Sequence, residues 1–207
     1  MTLKNKLGIH NPIELSRQEE RLSKLRAQQL FDDGVLETCE VGTFAGLRAI
    51  HQLLFQDVYD FAGEVRTADI SKGGFRFASA LYLEAALESI SAMPQSTFDE
   101  IVEMYVEMNV AHPFWEGNGR STRIWLDAIF RQELGCVVDW SRIDKEDYLA
   151  AMERSPIRDI EIKLRLKEAL TDQVASRDVF MKGIDASYYY EGLEEYQAGS
   201  IPEEDDD

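Results

Sequence analysis

Apolar residues recur at intervals of three and four along most of this chain, the period of a helix that buries one face. In "SRQEERLSKLRAQQLFDDG" (16–34), Leu22, Leu25 and Leu30 mark an apolar side between a capping Ser16 and a terminating Gly34. "VGTFAGLRAIHQLLF" (41–55) reads as a helix starting at Thr43, with Leu47, Ile50 and Leu54 on one face. "ALYLEAALESISAM" (80–93) is followed by "TFDEIVEMYVEMNVAH" (97–112), whose Ile101, Met104, Tyr105 and Met108 keep the same spacing. "STRIWLDAIFRQEL" (121–134) places Ile124, Ile129 and Leu134 before a turn at Gly135. Further helices are expected near 145–153, 158–171 and 184–196. Only "VRTADISKGGFRFA" (65–78) changes period, and its alternation around Lys72, Gly73 and Gly74 predicts a short β-hairpin. The pattern is that of an all-α domain with one small β-hairpin.

No internal repeat or second hydrophobic unit interrupts 1–196, so a single domain is expected there, with its last helix over about 182–196. The end, 197–207, is polar and acidic and is expected to be disordered. A chain of 207 residues with 44% hydrophobic content can bury a sizeable core. Its formal charge is −17, unevenly spread. Eight acids and no Lys or Arg follow from Glu191 onward, and taking those eight away leaves −9 on residues 1–190. Such a body lacks the clustered cations that neutralise a phosphate backbone, which argues against direct nucleic-acid binding. A small basic pocket for one nucleotide remains compatible with it. Cys39 and Cys136 fit no metal or redox spacing and read as buried thiols of a reducing compartment. With no apolar leader at "MTLKNKLGIHNP" and no long apolar run, the expectation is a cytoplasmic protein with no membrane segment. Export by a machine that reads no leader would leave the same sequence.

One stretch defies the helical pattern. "HPFWEGNGR" (112–120) sits between two amphipathic helices and carries a proline, two aromatics, an acid and two glycines. A helix that starts on Gly-Asn-Gly exposes backbone N–H groups, and the helix dipole adds positive potential at that end, so the start suits an anion. Gly117 and Gly119 let the backbone come close to a phosphate. Arg120 and Arg123, three apart, are expected on one face toward the same anion, which suggests several phosphates. His112 at the entrance suits a general base tuned near neutral pH, and Glu116 offers a hard oxygen to Mg²⁺. Pro113 ends the preceding helix, while Phe114 and Trp115 are expected to pin the loop to the core. Taken singly, a structural histidine, an ordinary Gly-Asn-Gly turn and two solvated arginines would each be the simpler reading; together within twelve residues they are not.

"HPFWEGNGRSTR" (112–123) resembles the signature of Fic proteins, HPFx(D/E)GNGRxxR, at every defined position. The similarity extends through "IHQLLFQDVYDFAGEVR" (50–66) and "ISKGGFRFA" (70–78), which resembles the target-positioning flap of that family. The resemblance implies a helical domain that moves AMP from ATP to a Tyr, Ser or Thr hydroxyl of a protein target. It assigns His112 as the base, Glu116 as the Mg²⁺ ligand, and Gly117, Asn118 and Gly119 as the cradle of the α- and β-phosphates. Arg120 would meet the β-phosphate and Arg123 the γ-phosphate. Ser121 and Thr122 lie inside the nucleotide-binding stretch, Lys72 would reach the phosphates from the flap, and Asn109 would orient the site. "SYYYEG" (187–192) resembles the family's inhibitory motif (S/T)xxxE(G/N), placed as in the class III subgroup, so Ser187 and Glu191 would hold Arg123 away from ATP. Tyr188, Tyr189 and Tyr190 carry hydroxyls beside that motif, and Tyr188 is the first choice for self-modification. Type II topoisomerase subunits are candidate targets by the same resemblance, and class III relatives suggest self-association. Removal of AMP by the same site is the alternative reaction, and a non-enzymatic nucleotide-binding module is the alternative of a different class. A kinase-like use of ATP fits less well, because the GNGRxxR end is intact.

Overall fold

The computed structural model describes residues 2–201 and holds eight α-helices and four two-residue strands among them. Helix α1 runs over Pro12–Asp32, α2 over Phe44–Phe55, α3 over Leu83–Ser91, α4 over Phe98–Ala111 and α5 over Asn118–Leu134. After these come α6 (Lys145–Arg154), α7 (Ile160–Glu168) and α8 (Arg177–Tyr190). Strands β1 (Ser71–Lys72) and β2 (Phe75–Arg76) form the expected hairpin, pairing Lys72 with Phe75 across Gly73 and Gly74. A second antiparallel ladder, β3 (Val137–Val138) with β4 (Leu170–Thr171), joins the ends of α5 and α7. Two-residue strands carry no alternation to read, and β4 lies inside the stretch 158–171 that periodicity assigns to a helix.

Helix ends follow local chemistry. The Asn11 side chain accepts from the N–H groups of Ile13 and Glu14, and Pro12 follows in the first helical position. The helix therefore begins four residues before Ser16, which lies inside it. Thr97 and Glu100 form a reciprocal capping box at the start of α4. Ser176 caps α8 through the Val179 N–H, and the helix ends on Glu191 as its C-cap before Gly192 at φ 83°. That helix is thus set toward the N-terminus relative to both 184–196 and 182–196.

The core is built on α4 and α5, which pack against each other, with α2 against α5. Ile101, Met104, Met108, Leu126, Ile129 and Phe130 are fully enclosed there. Helix α1 departs from its expected apolar side. Its inward face mixes Leu15, Ala27 and Leu30 with buried Glu19, Glu20, Ser23 and Lys24, while Leu22 and Leu25 are only half-buried. These charges are matched. Lys24 Nζ lies 3.0 Å from both Glu20 Oε1 and Asp185 Oδ1, with side chains 1%, 2% and 35% exposed. Lys24 also donates to the Tyr196 carbonyl, and the Glu20 carboxylate accepts the N–H groups of Glu195 and Tyr196. Residues 193–198 are thereby strapped across α1 and α8. Ala198, at the start of the expected disordered tail, is fully buried and donates its N–H to Asp185. Residues 202–207, the rest of that tail, lie outside the described residues.

A second anchor holds α8 from the other side. Buried Asp127 accepts from the Val138 N–H at 2.8 Å and from Trp140 Nε1 at 2.7 Å. The indole so fixed faces Gly183 of α8, where an added Cβ would sit 3.2 Å from Trp140 Cδ1. Cys39 and Cys136 are unpaired and half-buried rather than enclosed. Among the described residues, no helix is long and apolar enough to cross a membrane.

Replacing Lys24 by Met leaves Glu20 and Asp185 facing each other with no cation between them. Breaking a buried pair in this way costs about 3–5 kcal/mol, so the denaturant midpoint of Lys24→Met is expected to fall well below that of the wild type.

Candidate active site

Helix α4 stops at Ala111 because His112 turns left-handed at φ 48°, the one non-glycine residue with positive φ among the described residues. For a side chain of this size that backbone costs energy and persists only where its surroundings enforce it. Pro113 bars continuation of the helix. Arg66, 2% exposed, supplies the enforcement: its guanidinium donates to the carbonyls of Ala111, His112, Ala68 and Ala78. One side chain thus joins the end of α4 to both feet of the β1–β2 flap.

The loop that follows is closed on itself. Phe114 donates its N–H to Asn118 Oδ1, and Asn118 Nδ2 donates to the Phe114 carbonyl, both at 2.8 Å. The fully buried Phe114 ring stacks on His51 at 3.7 Å. His51 Nδ1 accepts from the Gly63 N–H, which assigns the ring proton to Nε2 and lets it donate to the Glu116 carbonyl at 2.9 Å. Gly117, at φ 74°, has no room for a side chain, since a Cβ would meet the Phe55 ring at 2.3 Å. Trp115 is half-buried and lines the cavity instead of anchoring in the core.

Helix α5 then begins with no side-chain cap. Ser121 is the first residue whose N–H finds a carbonyl, that of Gly117 at 3.1 Å. The N–H groups of Asn118, Gly119 and Arg120 have no acceptor among the described residues, and the helix start opens into a cavity of about 560 Å³. That volume is in the range of small-molecule sites. His112, Asn109, Lys72, Glu116, Arg123 and Glu191 all stand on its wall.

The His112 ring stacks on Phe77 of the flap at 3.7 Å, and its Nδ1 lies 3.3 Å from the Asn109 carbonyl. With the proton on Nδ1 facing that carbonyl, Nε2 keeps its lone pair for the cavity. Burial, aided by the nearby Lys72 charge, pushes the imidazole down to about 4, against the pull of Asn109 and Glu191. The near-neutral tuning expected from sequence is therefore wrong, yet the ring is held in its proton-accepting form.

Arg123 is 2% exposed and fully bound. Its Nε donates to Ser187 Oγ at 2.7 Å, one terminal nitrogen donates to Tyr148 Oη at 3.1 Å, and the other reaches the Ser187 carbonyl at 2.9 Å and Glu191 Oε1 at 3.3 Å. The other oxygen of Glu191 pairs with Lys72 Nζ at 3.0 Å. Burial alone would raise the Glu191 carboxyl, but Arg123, Lys72 and Arg120 outweigh it and bring it down to about 2. Glu191 is a fixed anion between α5 and the flap.

Residues 43–130 match the Fic/DOC family, from the N-cap of α2 into the last turns of α5. The chain is 33% identical over 165 residues to a "Probable protein adenylyltransferase y4lH" of Sinorhizobium fredii, covering 74% of this chain and 82% of that protein. This chain belongs to the Fic/DOC family. A "Probable protein adenylyltransferase Fic" of Salmonella typhimurium is 30% identical over 173 residues, covering 76% of this chain and 82% of its own length. The Fic fold agrees as well. A crystal structure of the VirB-translocated effector BepC of Bartonella tribocorum, with bound AMPPNP, aligns with a TM-score of 0.69 at 20% identity, over 83% of this chain and 93% of that one. The N-terminal Fic domain of a Bartonella quintana effector with bound ADP gives 0.69 at 22% identity, over 86% and 93%.

Several positions of the Fic motif behave differently from the sequence expectation. Arg120 and Arg123 diverge instead of facing one anion. The Arg120 guanidinium turns from the cavity toward α1, pairs with Glu19 at 2.6 Å and lies over the rings of Phe55 and Tyr188. The Asn118 amide is spent on the loop, which leaves its backbone N–H to the cavity. Ser121 and Thr122 are buried, and their hydroxyls donate to carbonyls of Gly117 and Asn118, so neither faces the cavity. With α8 seated, Tyr188 is fully enclosed beneath Lys24 and Arg120, so its hydroxyl could be offered for self-modification only by an opened helix; Tyr189, 44% exposed, is the open one of the three. His51, Arg66, Tyr148 and Glu19 were not singled out from the sequence. The only hint was a histidine and an arginine set into otherwise apolar or turn-forming segments.

The two histidines make stability depend on pH. Burial drives His51 to about 3 and His112 to about 4, whereas both titrate near 6.5 in the unfolded chain. Below 6.5 the unfolded chain therefore binds more protons than the folded one, and stability is lost as pH falls toward 4. The melting temperature is expected to drop between pH 7 and pH 5, and His51→Gln is expected to flatten that drop.

Proposed function

We propose that this chain is a protein adenylyltransferase, as its named relatives are, and that the end of α8 restrains it. The observation that carries the reading is the uncapped start of α5, whose three free N–H groups open into a cavity beside the His112 lone pair. Phosphates of ATP fit that start, because convergent donors and the helix dipole favour anions there. A hydroxyl of the target protein, brought in along the flap, loses its proton to His112 Nε2 as its oxygen attacks the α-phosphorus. The bond from the α-phosphorus to the bridging oxygen breaks, and pyrophosphate leaves. Asn109 supports His112 through its carbonyl, and Lys72 stands close enough to meet phosphate once Glu191 yields.

The residues present fit a Mg²⁺ ion held chiefly by phosphates. Glu116 takes the Gly117 N–H and the Arg120 guanidinium on the same oxygen, Oε1, and its Oε2 has no partner among the described residues. No group of three or more His, Cys, Asp or Glu side chains forms a metal site among those residues, so one carboxylate oxygen would be the protein's share. Bound there, Mg²⁺ would offset the charge of the phosphates.

Glu191 supports the restraint. It holds the guanidinium nitrogen of Arg123 and the flap lysine, the two cations best placed for a γ-phosphate, and Gly119 shares the same space: a Cβ there would sit 2.6 Å from Glu191 Oε1. A triphosphate and Glu191 thus compete for one volume. ATP bound around the carboxylate would have its α-phosphorus off the line of attack, which is costly in rate.

Incubation with a protein target, type II topoisomerase subunits first, and with α- or γ-labelled ATP tests the reading. Label is expected on the protein from α-labelled ATP alone, with pyrophosphate released; labelling from the γ position would refute it. His112→Ala is expected to lower transfer by about 100-fold or more while nucleotide still binds. Glu191→Gly is expected to raise transfer above wild type at saturating ATP and Mg²⁺, and equal rates would remove the restraint from the proposal.

A further inference from the structure

Glu19 and Arg120 form the tightest buried ion pair near the cavity, yet neither side chain opens onto it. The Arg120 guanidinium is 2% exposed, the Glu19 side chain 7%, and they meet at 2.6 Å. The guanidinium carbon lies over the rings of Phe55 and Tyr188, at 4.8 and 5.1 Å from their centroids. The far oxygen of Glu19 accepts the Tyr59 hydroxyl, so this carboxylate is bound at both ends. To reach a phosphate, Arg120 would have to leave a buried partner, and an uncompensated buried charge is far too costly for an ordinary rotamer change.

The one bond Arg120 sends toward the cavity goes to Glu116. Its second terminal nitrogen lies 3.1 Å from Glu116 Oε1, the oxygen that also takes the Gly117 N–H at 2.9 Å. Two donors on one oxygen fix the plane of the carboxylate and leave Oε2 for the cavity. A lone arginine in that place would also cancel the charge that a cation needs. Glu19 removes this conflict, because it compensates the guanidinium from behind. Arg120 then serves as a geometric support for Glu116 without competing electrostatically for it.

We infer that Glu19 is a positioning residue for the Glu116 carboxylate and acts on it through Arg120. This rests on the reading of Glu116 as the Mg²⁺ ligand. With Glu19 neutral, the whole guanidinium charge falls on Glu116, which binds it more tightly and yields less readily to the ion. Outer-shell partners of this kind are worth about 10–100-fold in metal affinity. The alternative is that Glu19 merely docks α1 on the core, and the two differ in what they predict for nucleotide binding without metal.

ADP is the suitable probe, since it lacks the γ-phosphate whose place Glu191 holds. Calorimetric titration of ADP into the full chain, with and without Mg²⁺, yields the factor by which the ion tightens binding. Wild type is expected to show such a factor; its absence would overturn the Mg²⁺ reading and this inference with it. In Glu19→Gln the metal-free affinity is expected to hold while the factor falls by about tenfold, or to one where it starts smaller. A retained factor would overturn the positioning role and leave the Mg²⁺ reading standing. Parallel loss of both affinities would mark simple docking of α1 and overturn it too. Should Glu19→Gln fail to fold, Glu19→Asp keeps the buried charge one methylene farther from Arg120, and a partial fall of the same factor supports the inference while an unchanged factor overturns it.

Discussion

Two hydrogen bonds between Asn118 and the backbone of Phe114 close the turn between α4 and α5, and the anion-facing floor of the cavity takes its place from that closed turn. Because the amide occupies both its donor and its acceptor inside the loop, the loop needs no ligand to hold its shape. Phe114 is then fixed against His51, His51 fixes the Glu116 carbonyl, and Gly117 can enter α5 only because Phe55 meets no Cβ. The free N–H groups at the head of α5 are therefore present before any anion arrives. A preformed set of donors loses little to reorganisation when charge develops near it.

The second theme is compensation of buried charge. Arg123 is met by Glu191 from α8, Arg120 by Glu19 from α1, and Lys24 by Glu20 and Asp185 from both helices. The stretch that matches the family, 43–130, contains both arginines but neither of their main acidic partners. The helices that flank the family core thus supply the counter-charges for the core's own cations. In a low-dielectric interior an arginine without such a partner would be untenable, so α1 and α8 belong to the electrostatics of the site and not only to its packing.

The fold class and the flap were legible because long amphipathic periods and a Gly-Gly turn are strong local signals. Residues 112–123 were legible because they break a helix with groups whose chemistry converges. What escaped was set by tertiary partners. Arg120 and Arg123 share one face of α5, and their tertiary partners, Glu19 for one and Ser187, Tyr148 and Glu191 for the other, send them apart. Ser121 and Thr122 look like phosphate-binding hydroxyls, yet within a helix a hydroxyl readily bonds the carbonyl four residues back, and theirs do. Leu22 and Leu25 are apolar whereas Glu19, Glu20 and Lys24 are charged, so an apolar-pattern reading turns the wrong residues inward and the charged inner face of α1 is invisible without its partners. The depressed His112 has the same origin: burial beneath Phe77 is a property of the assembled flap.

The anchoring of α8 bears on time scale. Asp185 is tied to Lys24, Gly183 lies against an indole that Asp127 holds, and the Tyr190 hydroxyl sits 2.9 Å from the carbonyls of both Trp140 and Ile143. Glu191 follows directly after these fastenings, at the helix boundary. With an incoming anion to replace it on Arg123, its carboxylate could leave by turning about its own side-chain torsions while the helix stays seated, whereas lifting the helix would expose several charges at once. Rotamer changes of that kind are many orders of magnitude faster than sub-global opening of a helix. On the proposed reading, a carboxylate on so firm a mount would act as a fast local gate, in equilibrium with whatever anion the cavity holds, and not as a slow hinge that must be pried open.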